Sequence, residues 1–175
     1  HYLRWGELGR PGIVLVHGGA AHAHWWTHFA PLLAGEYAVA AIDLSGHGDS
    51  GWRENYGPEL WGDEIMAVAD DADFSGPPIL VAHSMGGLIS TIAAARHGDR
   101  LAGLVIVDTG PEHDPRGQIR IRMDAEASVD PTFASVGEYE SVLAHQYIAA
   151  TPAAIKRMAE HGLRQRDDGR YVLKM

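Results

Sequence analysis

The chain has 175 residues, 46% of them hydrophobic and 21% charged, enough to bury a core and unlike a disordered segment. Its net charge of −9 argues against a nucleic-acid-binding surface, since the small basic group Arg116, Arg120 and Arg122 is followed at once by Asp124 and Glu126. With no cysteine there is no disulfide, thiolate metal site or cysteine nucleophile, a pattern that fits a cytoplasmic setting, and no apolar run is long enough to span a bilayer.

In chain order, His1–Trp5 reads as a strand and Gly9-Arg10-Pro11-Gly12 as a turn. Ile13–His17 is a buried strand by its β-branched run, and it stops in Gly18-Gly19. Trp25, Trp26, Phe29, Leu32 and Leu33 recur at helical spacing, with Gly35 closing that helix. "YAVAAIDL" is the next strand and "SGHGDSGWRENYG" a loop. Pro58 then opens a helix with Trp61, Ile65, Val68 and Ala72 on one face and acids on the other. "PPILVAH" is a strand, Met85–His97 a helix and "LAGLVIVD" a strand. Continuous apolar strands alternating with amphipathic helices predict an α/β fold, a mostly parallel sheet with helices on both faces.

After Pro111 the pattern changes. Residues 112–170 show no strand-like run, but helical periodicity appears over Val136, Tyr139, Leu143 and Tyr147. A second helix starts at Thr151-Pro152 and stops at Gly162. The expected organisation is a core over residues 1–111 and an incomplete helical lid over 112–175. The chain opens on His1 without an initiator Met, and Tyr171, Leu173 and Met175 alternate like a strand with nothing after them to pair with. The expectation is a fragment, inactive and marginally stable by itself. Nothing in the sequence specifies an oligomeric state.

The chemistry centres on "ILVAHSMGGLIS", Ile79 to Ser90, where Ser84 stands between a strand and a helix. In a parallel sheet such a corner lies at the edge where ligands bind. A tight corner needs small neighbours, here Ala82 and Gly86, as in a nucleophile elbow. The plainer alternative is that Ser84 merely caps the helix. "VHGGA", Val16 to Ala20, ends another buried strand with unobstructed amides. Paired with the elbow, it makes the Gly19 and Met85 amides candidates for an oxyanion hole, against a simple chain-reversing turn. Gly46-x-Gly48-x-x-Gly51 has the spacing of a dinucleotide fingerprint, but no helix is predicted at Gly51. Asp43 and Ser50 are expected to fix its turns instead.

Together "VHGGA", "DLSGHGDS" and "AHSMGG", in this order and each after a strand, resemble the α/β-hydrolase superfamily, in its lidded serine hydrolase branch. "LVIVDTGP" resembles the strand that follows in that family. The resemblance covers residues 1 to about 111 with specific motifs and the remainder only as a generic helical lid. It implies a Ser-His-Asp/Glu mechanism with no cofactor, acting on a small-molecule acyl substrate such as an ester or lactone. Serine at the elbow argues against the dehalogenase and epoxide-hydrolase branches, which carry Asp there.

The family order is Ser, then acid, then His. Neither partner of Ser84 is evident in these residues, so both are expected beyond Met175. His83 points away from its neighbour, and the histidine of "HG", His17, reads as structural. His97 ends the elbow helix, while His113, His145 and His161 fall in the lid. Asp108 ends a strand at the active edge and is a weak candidate for the triad acid, a structural turn being the alternative. The rival functional class is a non-catalytic hydrolase-fold binding module that lacks a complete triad. A nucleotide-binding α/β domain is a distant third.

Overall fold

The computed structural model describes residues 1–110 and 132–175, so His113 and the basic group Arg116, Arg120 and Arg122 lie outside the described residues. The contacts divide the chain into two compact units, His1–Thr109 and Gly110–Lys174.

The first unit is built on five strands: β1 Tyr2–Trp5, β2 Gly12–Val16, β3 Ala38–Ile42, β4 Ile79–His83 and β5 Gly103–Val107. Their order across the sheet is β1-β3-β2-β4-β5. β1 pairs antiparallel with β3, and every other pairing is parallel. This is the mostly parallel α/β architecture expected from the alternation of apolar strands with helices.

Side-chain alternation along β2 explains its unbroken apolar run. Val14 and Val16 face one core, with Ile65 and Val68 of helix α2 (Pro58–Asp71) and Ile89 of helix α3 (Met85–His97). Ile13 and Leu15 face the opposite core, with Ala23 and Ala30. Both faces of the central strands are thus covered, and no polar position is tolerated in either set. At the sheet edge, β5 leaves Val105, Ile106 and Val107 exposed.

The helix predicted over Trp25–Leu33 is broken in two. A 3-10 turn spans Ala23–Trp26, and a four-residue helix α1 spans Ala30–Leu33. Pro31 stands in the first turn of α1, where its missing N–H costs nothing, and its ring keeps the helix from extending back through Thr27–Phe29.

Two buried polar side chains organise the carboxyl ends of β2 and β3. The Asp43 carboxylate accepts from the Ala23 N–H at 2.6 Å and the Asp49 N–H at 3.0 Å, and lies 2.6 Å from His1 Nδ1. Ser50 Oγ donates to the Asp43 carbonyl at 2.6 Å. The glycine-rich segment after β3 is therefore a loop held by Asp43 and Ser50, with no helix until Pro58. His17 is 1% exposed. Its Nε2 accepts from the Leu44 N–H at 3.1 Å, which leaves the proton on Nδ1 to donate to the Gly18 carbonyl at 2.7 Å.

The second unit contains α4 (Val136–Gln146), α5 (Pro152–Gly162) and a hairpin of β6 (Leu163–Gln165) and β7 (Tyr171–Leu173). Both helices start where the sequence predicts. Ser135 Oγ accepts from the Glu138 N–H, and Thr151 Oγ1 from the Ala154 N–H. The hairpin corrects the expectation of no strand over residues 112–170. The strand-like alternation at Tyr171–Leu173 finds its partner upstream, in β6, whose three residues include too few apolar positions to show a period. Phe133 also bridges to Tyr171. Among the described residues, no helix is long and apolar enough to cross a membrane.

Burial of His17 pushes its pKa down from 6.5 to about 4, with the neighbouring His47 contributing in the same direction. The unfolded chain therefore takes up this proton first. The stabilisation is fully present above about pH 6.5 and is lost as pH falls toward 4, a loss on the order of 3 kcal/mol. Urea melts between pH 7 and pH 4 should show this slope, and His17→Asn should flatten it. Asp43→Ala strands two backbone donors and should cost about 3 kcal/mol or more, measured as a lowered melting temperature, with Asp43→Asn retaining part of the loss.

Candidate active site

The site is assembled where β2, β4 and β5 end side by side. The register pairs Val16 with Ala82 and His83 with Val107, so the segments that follow these strands emerge at one level of the sheet. The loop after β2 carries Gly18 and Gly19, the turn after β4 carries Ser84, and β5 runs directly into Asp108.

Ser84 occupies the turn between β4 and α3 with φ +51° and ψ −118°. A non-glycine residue in that region carries backbone strain of roughly 1–3 kcal/mol and persists only where its surroundings enforce it. Here they do. The Ser84 N–H donates to the Val107 carbonyl at 2.9 Å, and the Ser84 carbonyl accepts from the Gly87 N–H at 2.9 Å. The Ser84 side chain makes no capping hydrogen bond to α3, and its backbone is not in the extended conformation that caps adopt. The helix-cap alternative for Ser84 therefore fails. The hydroxyl is not spent on capping α3.

Gly86 explains how the corner can be this tight. A Cβ there would collide with the His17 carbonyl and come within 2.9 Å of the Val16 carbonyl oxygen. Both obstacles are backbone atoms of the adjacent strand's end, which cannot rotate away. Ala82 is fully buried and leaves room on the preceding side.

The loop after β2 lies against the serine. A Cβ on Gly18 would lie 2.8 Å from His83 Nδ1 and 3.3 Å from Ser84 Cβ, while one on Gly19 would meet only Met85 Sδ at 3.8 Å. Ser84, Met85 and Gly19, the three residues singled out from sequence, are thus brought together in one corner. Gly18 was missed as a contact residue. The signal for it was the doubled glycine of "HGGA", of which the amide argument used only one.

The histidines separate by environment. His17 has both ring nitrogens engaged with backbone and is held neutral, so it has no free nitrogen to take a proton from Ser84. The His47 ring lies tilted against that of His17, centroids 5.0 Å apart, and edge-on to Trp61 at 6.1 Å, and burial pushes its pKa down. His97 lies at the far end of α3, roughly 20 Å from the serine at 1.5 Å per residue, with its Nε2 3.4 Å from Asp63. His145 and His161 belong to the second unit. His83 Nε2 lies 3.8 Å from Asp108 Oδ2. Asp108 is itself a non-glycine residue at φ +56°, and its carboxylate is exposed.

Among the described residues, one group of His and acidic side chains is close enough to share a metal ion: His1, Asp43 and Asp49. Asp43 there is already committed to two backbone amides. The group is accounted for by loop structure.

Comparison with known proteins agrees with the fold. The chain is 33% identical over 185 residues to the Esterase Rv0045c of Mycobacterium tuberculosis, covering 97% of this chain and 58% of that protein. It is 36% identical over 151 residues to a pimeloyl-[acyl-carrier protein] methyl ester esterase of Chromobacterium violaceum, covering 82% of this chain and 56% of the relative. The solved structure of E-2-(acetamidomethylene)succinate hydrolase superposes with a TM-score of 0.85 at 25% identity, over 98% of this chain and 63% of its own. The chain thus spans less than two thirds of the length of these relatives. The model of the alpha/beta hydrolase family matches residues 13–173, and with the parallel sheet and the strained serine corner this places the chain in the alpha/beta hydrolase family.

Proposed function

We propose that the protein is a serine hydrolase acting on a small ester, lactone or related acyl compound. The observation that carries this is Ser84, held at φ +51° between β4 and α3 with its hydroxyl uncommitted to helix capping. The names of the relatives, an esterase and a methyl ester esterase, support an ester as the substrate class. Gly19 and Met85 share the corner with Ser84, which supports their amides as the oxyanion donors.

In this mechanism Ser84 Oγ attacks the acyl carbonyl and its proton passes to a histidine base. Negative charge develops on the carbonyl oxygen, where the Gly19 and Met85 amides and the N-terminus of α3 stabilise it. Collapse expels the alcohol, protonated by the same histidine, and leaves an acyl-Ser84 ester. Water activated by that histidine then releases the acid and restores Ser84. We assign the histidine and its carboxylate partner to the remainder of the full-length protein. We assign helices α4 and α5 to a cap of this fold, and the chemistry proposed needs no cofactor.

A fluorophosphonate probe on the full-length protein should label Ser84, and Ser84→Ala should abolish both labelling and turnover of p-nitrophenyl acetate. Absence of labelling in the wild type would favour a hydrolase-fold binding module instead. The packing of Gly86 makes a separate prediction. Gly86→Ala should cost about 2 kcal/mol or more through overpacking, whereas Gly98→Ala, where a Cβ meets open space, should be near neutral in thermal melts.

A further inference from the structure

We propose that His83 is a positioning residue for acyl transfer, its imidazole setting the spacing between the Gly18–Gly19 loop and Ser84, with Asp108 fixing the ring's orientation. The inference rests on Ser84 being the nucleophile and goes beyond it by giving a function to two side chains outside the usual serine chemistry.

Three observations converge. First, the sheet order β2-β4-β5 places His83, the last residue of the middle strand, between the loops that leave its two neighbours. The ring touches both sides. Its Nδ1 edge packs at Gly18, where a Cβ would approach to 2.8 Å, and its Nε2 lies 3.8 Å from Asp108 Oδ2. Second, Gly19 and Ala20 are exposed and carry almost no side chain with which to anchor themselves. Glycine segments lose the most conformational freedom on ordering, so the loop's position is set by what it rests against. It rests on His83, Ser84 and Met85, three consecutive residues of the elbow. Third, Asp108 adopts φ +56°, a conformation that costs an aspartate energy. That conformation turns the chain immediately after β5 and holds the carboxylate 3.8 Å from His83 Nε2.

The consequence is chemical. The oxyanion donors act only if their amides sit within a few tenths of an ångström of the developing charge. A ring that tilts away from Gly18 lets the loop relax toward it and moves the Gly19 amide. Such a change lowers the rate of Ser84 acylation and leaves the binding of a small ester largely untouched.

The test is a double-mutant cycle in the full-length protein, read as kcat and KM for p-nitrophenyl acetate and as the rate of fluorophosphonate labelling. Asp108→Asn removes the charge while asparagine tolerates the same left-handed backbone. His83→Ala removes the spacer, and His83→Gln takes its place if the alanine variant melts early. The expected result is a loss of kcat on the order of 100-fold for the His83 variant and about 10-fold for Asp108→Asn, with KM unchanged. In the His83 variant background, Asp108→Asn should have no further effect. Losses that multiply, or unchanged kcat in either single variant, would overturn the proposal. A loss of a thousandfold or more from Asp108→Asn would overturn it too, in favour of Asp108 as the triad acid. Failure of the wild-type protein to label would instead sink the nucleophile assignment, and this inference with it.

Discussion

The corner between β4 and α3 is pressed against the end of β2 by a contact between main chains, and much of the first unit is arranged around that fact. Gly86 stands over the carbonyls of Val16 and His17 with no space for a Cβ. Side chains can change rotamer to relieve a crowded contact, but backbone on backbone cannot. The helix N-terminus, the serine before it and the loop after β2 are therefore held in a single arrangement. The parallel register of β2 with β4, which sets Val16 beside Ala82, is what brings these atoms to the same height.

From that contact the constraints extend outward through buried polar groups. His17, whose carbonyl meets Gly86, uses its ring to hold the Gly18 carbonyl and the Leu44 amide, tying the ends of β2 and β3 together. One residue beyond β3, Asp43 binds the amides of Ala23 and Asp49 and so fixes the start of the 3-10 turn and the glycine-rich loop. These side chains satisfy backbone donors that would otherwise be buried without partners. Their role is to shape loops, which leaves Ser84, His83 and Asp108 as the half-buried or exposed groups at the ends of β4 and β5.

Two of those groups sit on strained backbone. Ser84 and Asp108 both have φ above +50° although neither is glycine, and they end adjacent strands. The strain is offset by the packing of the sheet below, whose central strands are buried on both faces. Strain of this kind concentrates where a side chain must be aimed in a direction that a relaxed strand end would not give it.

How much of this was legible in the residues follows from the range of each interaction. Strand and helix identities were readable because period, β-branching and caps are local: Ile13–Val16, Pro58, Met85–His97 and Thr151-Pro152 all carry their signal within a few positions. The serine corner was readable for the same reason, since small residues on either side of Ser84 are what a tight turn needs. The Trp25–Leu33 run misled because helical spacing was weighed without Pro31, and β6 was invisible because three residues cannot display a period. The contact of Gly18 with His83, the commitment of both His17 nitrogens, and the pairing of His83 with Asp108 were beyond sequence reasoning. Gly18 with His83, His17 with Leu44 and His83 with Asp108 lie 65, 27 and 25 positions apart, and they meet because parallel strands, separated by whole helices, end at the same edge. The sequence by itself determined that a serine would be presented between a strand and a helix in a parallel α/β fold. The tertiary structure alone decided that Gly18 would lie against His83 and Ser84 and that Asp108 would come within 3.8 Å of the His83 ring, because those pairings are chosen by strand order and register, which no local pattern encodes.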